Sequence, residues 1–575
     1  MTDPTSTSLR APGFALGDAA DAYGAAVEQA RNEEWATRLF DRDATLWSDD
    51  PDVQQSVADR LGWLDAPEDF AEKIPALEGF GDGIVAAGFT TAVVAGMGGS
   101  SLAPDVLRRT FGSQEGYLDL RILDCTDPEA VAAVFDDLDP LRTLVIIASK
   151  SGTTTEPNAF LEYAWDWAHK ALDKVGHHAY ETPGAMMAVV TDPGRSLEAI
   201  AHHDDVRAVF LNPPDIGGRY SALTYVGLIP ASLIGLDLDA LLASALAMLG
   251  ACREPDPGRN PGVSLGLAMG TLAQAGRDKL TFLADDEISS FGAWAEQLIA
   301  ESTGKHGVGI VPVDLEPLGA PGAYGPDRAF IRLSLAGGTD GGRDALAAAL
   351  EAEGHPVIRI ELADPIDIGG EFVRWEVATA IAGAVLGIDP FDQPNVEEAK
   401  NLTRDVLAKA GRGESIETGA APLTPDDPAL ADALAAHLAR RAPSAYLALQ
   451  AFIAPTPARD AALARIRALL RDRTRRATTS GYGPRFLHST GQLHKGGTPI
   501  GWFLQLTSDH PGDREIPGWP YTFGRLIDAQ AAGDFAALDG HGLPILRIHL
   551  GADPDAGLSA LERALDAALR TIPED

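Results

Sequence analysis

Cysteine is almost absent: Cys125 and Cys252 are the only two in 575 residues. Each stands in an apolar context, so no disulfide framework is expected and a reducing, cytoplasmic setting is. Long apolar runs are missing too. No stretch reaches the roughly 18 residues of a membrane span. The opening Met1-Thr-Asp-Pro-Thr-Ser-Thr-Ser8 lacks the basic-then-apolar pattern of a secretory signal. Positive charge is in deficit, with 46 basic against 83 acidic residues and a net charge of −37. That argues against nucleic acid or an anionic membrane as a partner. It also repels a phosphorylated substrate at long range, so any phosphate site must supply its attraction locally.

What is present is a soluble globular composition, 45% hydrophobic and 22% charged, in a chain too long for one core. Residues 1 to about 85 carry helical patterns with Trp35, Trp47 and Trp63 and read as a helical cover. From Thr91 onward apolar strand runs alternate with helical stretches: Ala92–Ala95, Leu120–Leu123, Leu144–Ala148 and Met186–Val190. Such alternation means a mainly parallel α/β sheet covered by helices on both faces. A second α/β block spans about 262 to 411, with strands at Leu280–Leu283, Val308–Val311, Phe330–Leu333 and Val357–Ile360. A linker rich in Gly, Pro and Thr follows. The last block is expected to run helices first, then strands at Trp502–Leu506 and Ile545–Ile548. The expected divisions are a cover over 1–85, α/β domains over 86–260 and 261–412, a linker over 413–428 and a C-terminal α/β module over 429–575. Gly354-His-Pro-Val-Ile-Arg-Ile-Glu-Leu362 echoes Gly542-Leu-Pro-Ile-Leu-Arg-Ile-His-Leu550, which suggests a partial duplication.

The densest chemistry is Ser149-Lys-Ser-Gly-Thr-Thr-Thr-Glu-Pro157, where an apolar strand hands over to a helix N-terminus. Free backbone N–H groups, the positive dipole end and five hydroxyl side chains favour a phosphate there. Ser149, Lys150, Ser151, Thr153 and Thr154 are its candidate ligands; the bland alternative is a Ser/Thr capping loop. Gly96-Met-Gly-Gly-Ser-Ser101 departs from a dinucleotide fingerprint at its third glycine, so Gly99 and Ser100 fit a small phosphorylated ligand better. Gly217-Gly-Arg219 can bring a guanidinium close to ligand oxygens. Gln297 and Glu301 share one helix face. Glu301 falls in the last turn, where the dipole disfavours a charged carboxylate, a setting that suits a general base. Glu296 reads as the surface residue of that helix. Lys400, on the helix after Asp389-Pro-Phe-Asp-Gln-Pro394, would by itself be solvated. In Arg485-Phe-Leu-His488-Ser-Thr-Gly-Gln-Leu-His494-Lys-Gly-Gly497 either histidine can shuttle protons near neutrality. Their spacing is not a metal pattern, and no protein-bound metal is expected.

Together these motifs resemble those of the phosphoglucose isomerase family. Ser149–Thr154 resembles the family's Ser/Thr phosphate loop and Gly96–Ser101 its first ligand loop. Gly218-Arg-Tyr-Ser221 resembles the arginine segment facing the reacting carbons, and Gln297-x3-Glu301-Ser-x-Gly-Lys305 the segment carrying the catalytic base. Asp389–Pro394 through Lys400 resembles the late lysine segment. The motifs keep family order over roughly residues 85 to 405. The resemblance implies sugar-isomerase (SIS) domains and interconversion of glucose 6-phosphate and fructose 6-phosphate through a cis-enediol. It implies Glu301 as base, Arg219 as enediolate stabiliser, His488 and Lys400 in ring opening with His494 as the alternative, and no cofactor. The small-molecule partner is a sugar phosphate, and the chain is a monomer or a homodimer. Rival readings are a dual glucose/mannose 6-phosphate isomerase, a non-catalytic sugar-phosphate sensor and a nucleotide-binding enzyme.

One departure matters. Many members carry a Leu-His-Ser-x-Gly-Gln segment soon after the base, where this chain has Pro317-Leu-Gly-Ala-Pro-Gly-Ala-Tyr324. The matching Leu487-His488-Ser-Thr-Gly-Gln492 lies far downstream, as in the isomerase half of bacterial transaldolase–isomerase fusions. Dimeric members take this histidine from the neighbouring subunit; here the third block can supply it within one chain.

Overall fold

Continuous apolar strands joined by helical crossovers can pair only side by side in parallel, with helices covering both faces. The chain does this three times. The computed structural model describes residues 9–175, 182–395, 401–404, 406–408 and 422–572. Strand β1 (Gly13–Ala15) comes first, inside the stretch read as wholly helical. It runs antiparallel along the edge of the second sheet, with Phe14 opposite Ile358. Three residues are too few to show a period-2 pattern, yet they suffice to cover an exposed edge. The rest of the first 85 residues forms short helices, as expected.

The first sheet holds β2 (Thr91–Gly96), β3 (Asp119–Leu123), β4 (Thr143–Ala148), β5 (Met187–Thr191) and β6 (Ala208–Leu211), in the order β3-β2-β4-β5-β6. All its pairs are parallel. β2 and β4 are buried along their whole length. The second sheet holds β7 (Lys279–Ala284), β8 (Val311–Val313), β9 (Arg328–Leu335) and β10 (Val357–Leu362), in the order β8-β7-β9-β10-β1. β8 begins where the sequence reading ended its strand, because Val308 instead makes a tight bridge with Lys305. The third sheet holds β11 (Tyr446–Phe452), β12 (Ala477–Tyr482), β13 (Gly501–Thr507) and β14 (Ile545–His549), in the order β12-β11-β13-β14. The expected order of helices first and strands later is therefore corrected: β11 precedes the helix Pro457–Thr474. The expected linker falls largely outside the described residues.

Each sheet thus opens with the order 2-1-3-4. The two echoing segments each form the fourth strand of their own sheet, β10 in one and β14 in the other, beside a third strand, β9 and β13. The first sheet has the same order, so the order alone fits a repeated fold as well as a duplication.

The third sheet packs against both others. Val311 and Val313 of β8 meet Tyr446, Ala448 and Phe503, while Cys125 and Ala130 of the first sheet's flank meet Phe452, Ala454 and Phe486. Among the described residues no helix is long and apolar enough to cross a membrane.

The N-terminal segment is a structural floor. The Trp47 indole donates to the Ala380 carbonyl at 2.8 Å. Trp63, 1% exposed, packs at a tilt against Tyr220 with ring centroids 5.3 Å apart and reaches Phe391 at 6.4 Å. Tyr220 and Phe391 flank the arginine described below. Trp63→Ala is expected to destabilise the fold by about 3–5 kcal/mol through the cavity left. Denaturant unfolding of the two proteins measures it, and a loss below about 1 kcal/mol would show that the floor is dispensable.

Candidate active site

In an open parallel sheet ligands bind beyond the carboxyl ends of the strands, where the strand order reverses. In the first sheet that point lies between β2 and β4. The loops that leave these strands are Met97–Gly98, which enters the helix Gly99–Phe111, and Ser149–Thr154, which enters the 21-residue helix Thr155–Val175. Two helix N-termini therefore face one crevice. Gly99, Ser100, Ser149, Lys150, Ser151, Thr153 and Thr154 line a cleft of about 450 Å³ there, together with Arg219, Gln297, Glu301 and His488. The loop hydroxyls also order one another: Ser149 Oγ donates to Thr154 Oγ1 at 3.3 Å, and Ser151 Oγ lies 3.0 Å from Thr153 Oγ1. Gly152 holds the turn at φ +67°, and a Cβ there would sit 1.8 Å from the Ser196 carbonyl oxygen.

Arg219 lies in a short 3-10 turn, Gly218–Tyr220, and is 2% exposed. Nε donates to Ser302 Oγ at 2.7 Å and Nη1 to Gln393 Oε1 at 2.9 Å. Nη2 donates to the carbonyls of Pro390 and Asp392 at 2.7 and 3.0 Å. Nη1 is 3.4 Å from Glu301 Oε1. Glu301 occupies the last turn of the helix Phe291–Thr303, so it stands between a negative dipole end and a guanidinium. Gln297, one turn earlier, donates from Nε2 to Glu301 Oε2 at 3.0 Å and to the His488 carbonyl at 2.8 Å.

His488 ends the turn Arg485–His488 that follows β12. Its Nε2 is 3.0 Å from Glu156 Oε1, and Gln530 donates to the same oxygen at 2.7 Å. His494 does not reach the cleft. It is packed among Phe503, Phe486 and Tyr446, with ring centroids 5.1, 5.9 and 6.1 Å away. Burial first, then neighbouring Lys495, holds its imidazolium far below the usual range. Lys400 lies outside the described residues. Lys305, in the base segment, is buried beneath the cleft and donates to the carbonyls of Asp389 and Asp392 at 2.8 and 2.5 Å. Burial, then Arg219, lowers its ammonium to about 8, with Asp392 opposing.

Several cleft residues escaped the sequence reading. Asp192 follows β5 and pairs with Lys150 Nζ at 2.5 Å; burial pulls the ammonium down and the Asp192 carboxyl up, each partner opposing the other's shift. Glu156 stood inside the quoted loop motif but received no role. Gln393 stood in the late segment. Arg60 lies in the N-terminal stretch and carries no motif signal.

Comparison with known proteins shows the family. The family model described as phosphoglucose isomerase matches residues 31–317. A glucose-6-phosphate isomerase of Rubrobacter xylanophilus is 31% identical over 428 residues, covering 66% of this chain and 94% of that protein. The chain belongs to the phosphoglucose isomerase family. A second member, the glucose-6-phosphate isomerase of Symbiobacterium thermophilum, is 30% identical over 323 residues, 49% of this chain and 70% of that one. A crystal structure of a Thermus thermophilus protein superposes with a TM-score of 0.55 at 25% identity, over 69% of this chain and all of that one. The family match contains the Met97–Gly98 and Ser149–Thr154 loops, Arg219, Gln297 and Glu301. It ends before the third sheet, which brings His488 to the same cleft.

The family helix corrects one expectation, that Glu296 is a surface residue. Its side chain faces a second cavity, of about 610 Å³, bordered by Asp314, Arg467 and Arg485. Burial, with the Asp314 carboxylate adding to it, pushes Glu296 up to about 8 from 4.5, against the pull of Arg467 and Arg485. The folded protein therefore holds this proton more tightly than the unfolded chain, and the stability it confers is lost as pH rises through about 8. Glu296→Gln carries no charge. Its stability relative to wild type is expected to rise between pH 4.5 and 8, by on the order of 2–4 kcal/mol. Denaturation midpoints across that window test this; a gain that does not depend on pH would show that Glu296 is not the titrating group.

Proposed function

We propose that this chain interconverts glucose 6-phosphate and fructose 6-phosphate. The observation that carries the reading is the meeting of Glu301, Arg219, His488 and the Ser149–Thr154 loop in one cleft. The loop holds the 6-phosphate through N–H groups and hydroxyls, which fixes the far end of the sugar. One ring nitrogen of His488 is held by Glu156, leaving the other to move a proton from the C1 hydroxyl to the ring oxygen and so open the ring. Glu301 then removes the C2 proton. The freed electron pair becomes the C1–C2 double bond, and the carbonyl π pair moves to O1. The Arg219 guanidinium stabilises that oxyanion by electrostatic preorganisation. The O2 hydroxyl proton passes to O1, Glu301 returns its proton to C1, and the ketone stands at C2. Hydrogen moves within the substrate, so the overall change is redox-neutral. No step is routed through Lys400.

Glu301→Gln keeps shape and loses the base. Its kcat is expected to fall by about 10²–10⁴-fold with KM changed only a few-fold. Isomerisation of glucose 6-phosphate, with mannose 6-phosphate assayed beside it, provides the measurement. Wild-type turnover retained in the variant would remove Glu301 as base, and binding without turnover in the wild type would favour a sensor.

The cleft takes both Glu301 and His488 from one chain, which supports activity in the monomer. Specific activity is expected to stay constant on dilution, with sedimentation run at the same concentrations. Loss of activity that tracks dissociation, with the fold intact, would show that a second copy is required.

A further inference from the structure

The cleft has a charge problem. Its occupant under the isomerase reading is a phosphate ester, close to a dianion at neutral pH, bound by a chain of net charge −37. Three cationic side chains, Arg60, Lys150 and Arg219, line the cleft together with His488. All of these but Arg60 already face a carboxylate. Lys150 pairs with Asp192 at 2.5 Å, Arg219 with Glu301 at 3.4 Å and His488 with Glu156 at 3.0 Å. Arg60 forms no ion pair among the described residues. Its Nη1 donates to its neighbour's carbonyl, that of Asp59, at 3.1 Å and to the Pro214 carbonyl at a long 3.5 Å.

Its position is fixed by backbone. Leu61, the next residue, bridges antiparallel to Ile216, and the Gly62 N–H donates to the Asp215 carbonyl at 3.2 Å. The segment that carries Arg60 is thereby fastened to the loop leading into Gly217-Gly218-Arg219. Lys150 Nζ reaches the same Pro214 carbonyl at 3.0 Å. An ammonium from the phosphate loop and a guanidinium from the N-terminal segment therefore converge on one point at the cleft wall. Asp192, paired with Lys150, and Asp215 also bear on this point, but Arg60 is the cation there without an ion pair of its own among the described residues, and its charge favours a further anion. A guanidinium with a free edge is the group best shaped to meet phosphate oxygens.

We infer that Arg60 is a phosphate-binding residue, reaching the 6-phosphate beside Lys150 of the Ser149–Thr154 loop. It supplies the net positive charge that the loop, neutralised at Lys150 by Asp192, does not. The inference rests on the isomerase reading for the identity of the phosphate ester, but not for the presence of a phosphate.

The test uses the full chain with Arg60→Ala and Arg60→Lys. The readouts are KM and kcat for glucose 6-phosphate, and calorimetric binding of glucitol 6-phosphate, which cannot isomerise, at about 20 and about 300 mM salt. Arg60→Ala is expected to raise KM, and to weaken glucitol 6-phosphate binding, by about 10- to 100-fold, the yield of a charge-assisted contact. The fall in kcat should be smaller than the rise in KM. The salt dependence of binding should flatten, and Arg60→Lys should recover part of the affinity. A thermal midpoint near wild type separates this from a structural loss. A folded Arg60→Ala protein with KM and affinity within about twofold of wild type overturns the inference. So does an Arg60→Lys protein as impaired as Arg60→Ala, because then charge is not what matters. Wild type that binds glucitol 6-phosphate in an Arg60-dependent way, yet turns nothing over, sustains Arg60 and overturns the isomerase reading. Wild type that binds no phosphosugar overturns both.

Discussion

One side-chain amide holds the cleft together. Gln297 Nε2 donates one hydrogen to the Glu301 carboxylate and the other to the His488 carbonyl, at 3.0 and 2.8 Å. One hydrogen holds the carboxylate on Gln297's own helix, and the other joins that helix, in the second α/β block, to a turn of the third. The first block closes the same junction. Gly98 stands at φ +53°, and a Cβ there would lie 2.4 Å from the His488 carbonyl oxygen and 2.9 Å from Gln297 Nε2. Only a residue without a side chain lets the β2 loop come this close. Three stretches that are far apart in sequence meet at one amide, and the proposed base and the proposed ring-opening histidine take their separation from it.

Beneath the junction two cations share one loop. Arg219 and Lys305 both reach residues 389–392 and bind the carbonyls of Asp389, Pro390 and Asp392, sharing that of Asp392. Taking a guanidinium and an ammonium out of water costs several kcal/mol each unless acceptors replace the lost hydration. Carbonyl dipoles and the Asp392 carboxylate do so, Lys305 Nζ lying 2.5 Å from Asp392 Oδ1. The arrangement turns an otherwise irregular loop into a rigid wall of the cleft. It also keeps the guanidinium plane of Arg219 fixed by five partners, so little reorganisation is left for the moment when charge develops on substrate.

The Ser149–Thr154 loop, the Arg219 turn and the Glu301 helix were legible as parts of the cleft because each joins unusual residues to a strand end or helix end, where backbone physics alone favours a ligand. The strand orders were not legible, and they are what set the β2 and β4 loops beside each other. Glu296 and Glu301 show a second limit. Five residues apart on a helix, they must point in different directions, but the period does not say which faces the cleft and which faces the neighbouring cavity. The two histidines of the 485–497 segment needed coordinates for the same reason. They are six residues apart and differ only in what surrounds them, a glutamate in one case and three aromatic rings in the other. Arg60 gave no signal at all, because a lone arginine between short helices looks like any solvated residue until the loop it bridges to is known.

The repeated strand order raises the question of why one sheet carries the cleft. In the second sheet the equivalent point lies between β7 and β9, and protein fills it. Asp285, just past β7, accepts from the Leu335 N–H at 2.8 Å and lies 2.6 Å from the buried Arg332 guanidinium. In the third sheet the carboxyl ends abut the segment that follows β3. The Cys125 thiol lies 3.5 Å from the Gly483 carbonyl, Arg459 reaches Glu129 at 2.8 Å, and Thr126 Oγ1 donates to Gln530 at 2.7 Å. A crevice occupied by a neighbouring domain cannot take a ligand, but the occupation fixes how the third sheet sits on the first. That placement delivers Gln530 to Glu156, and Glu156 to His488. The third sheet therefore uses the carboxyl ends of its strands as a docking surface, and through that surface it contributes a histidine to the crevice of the first.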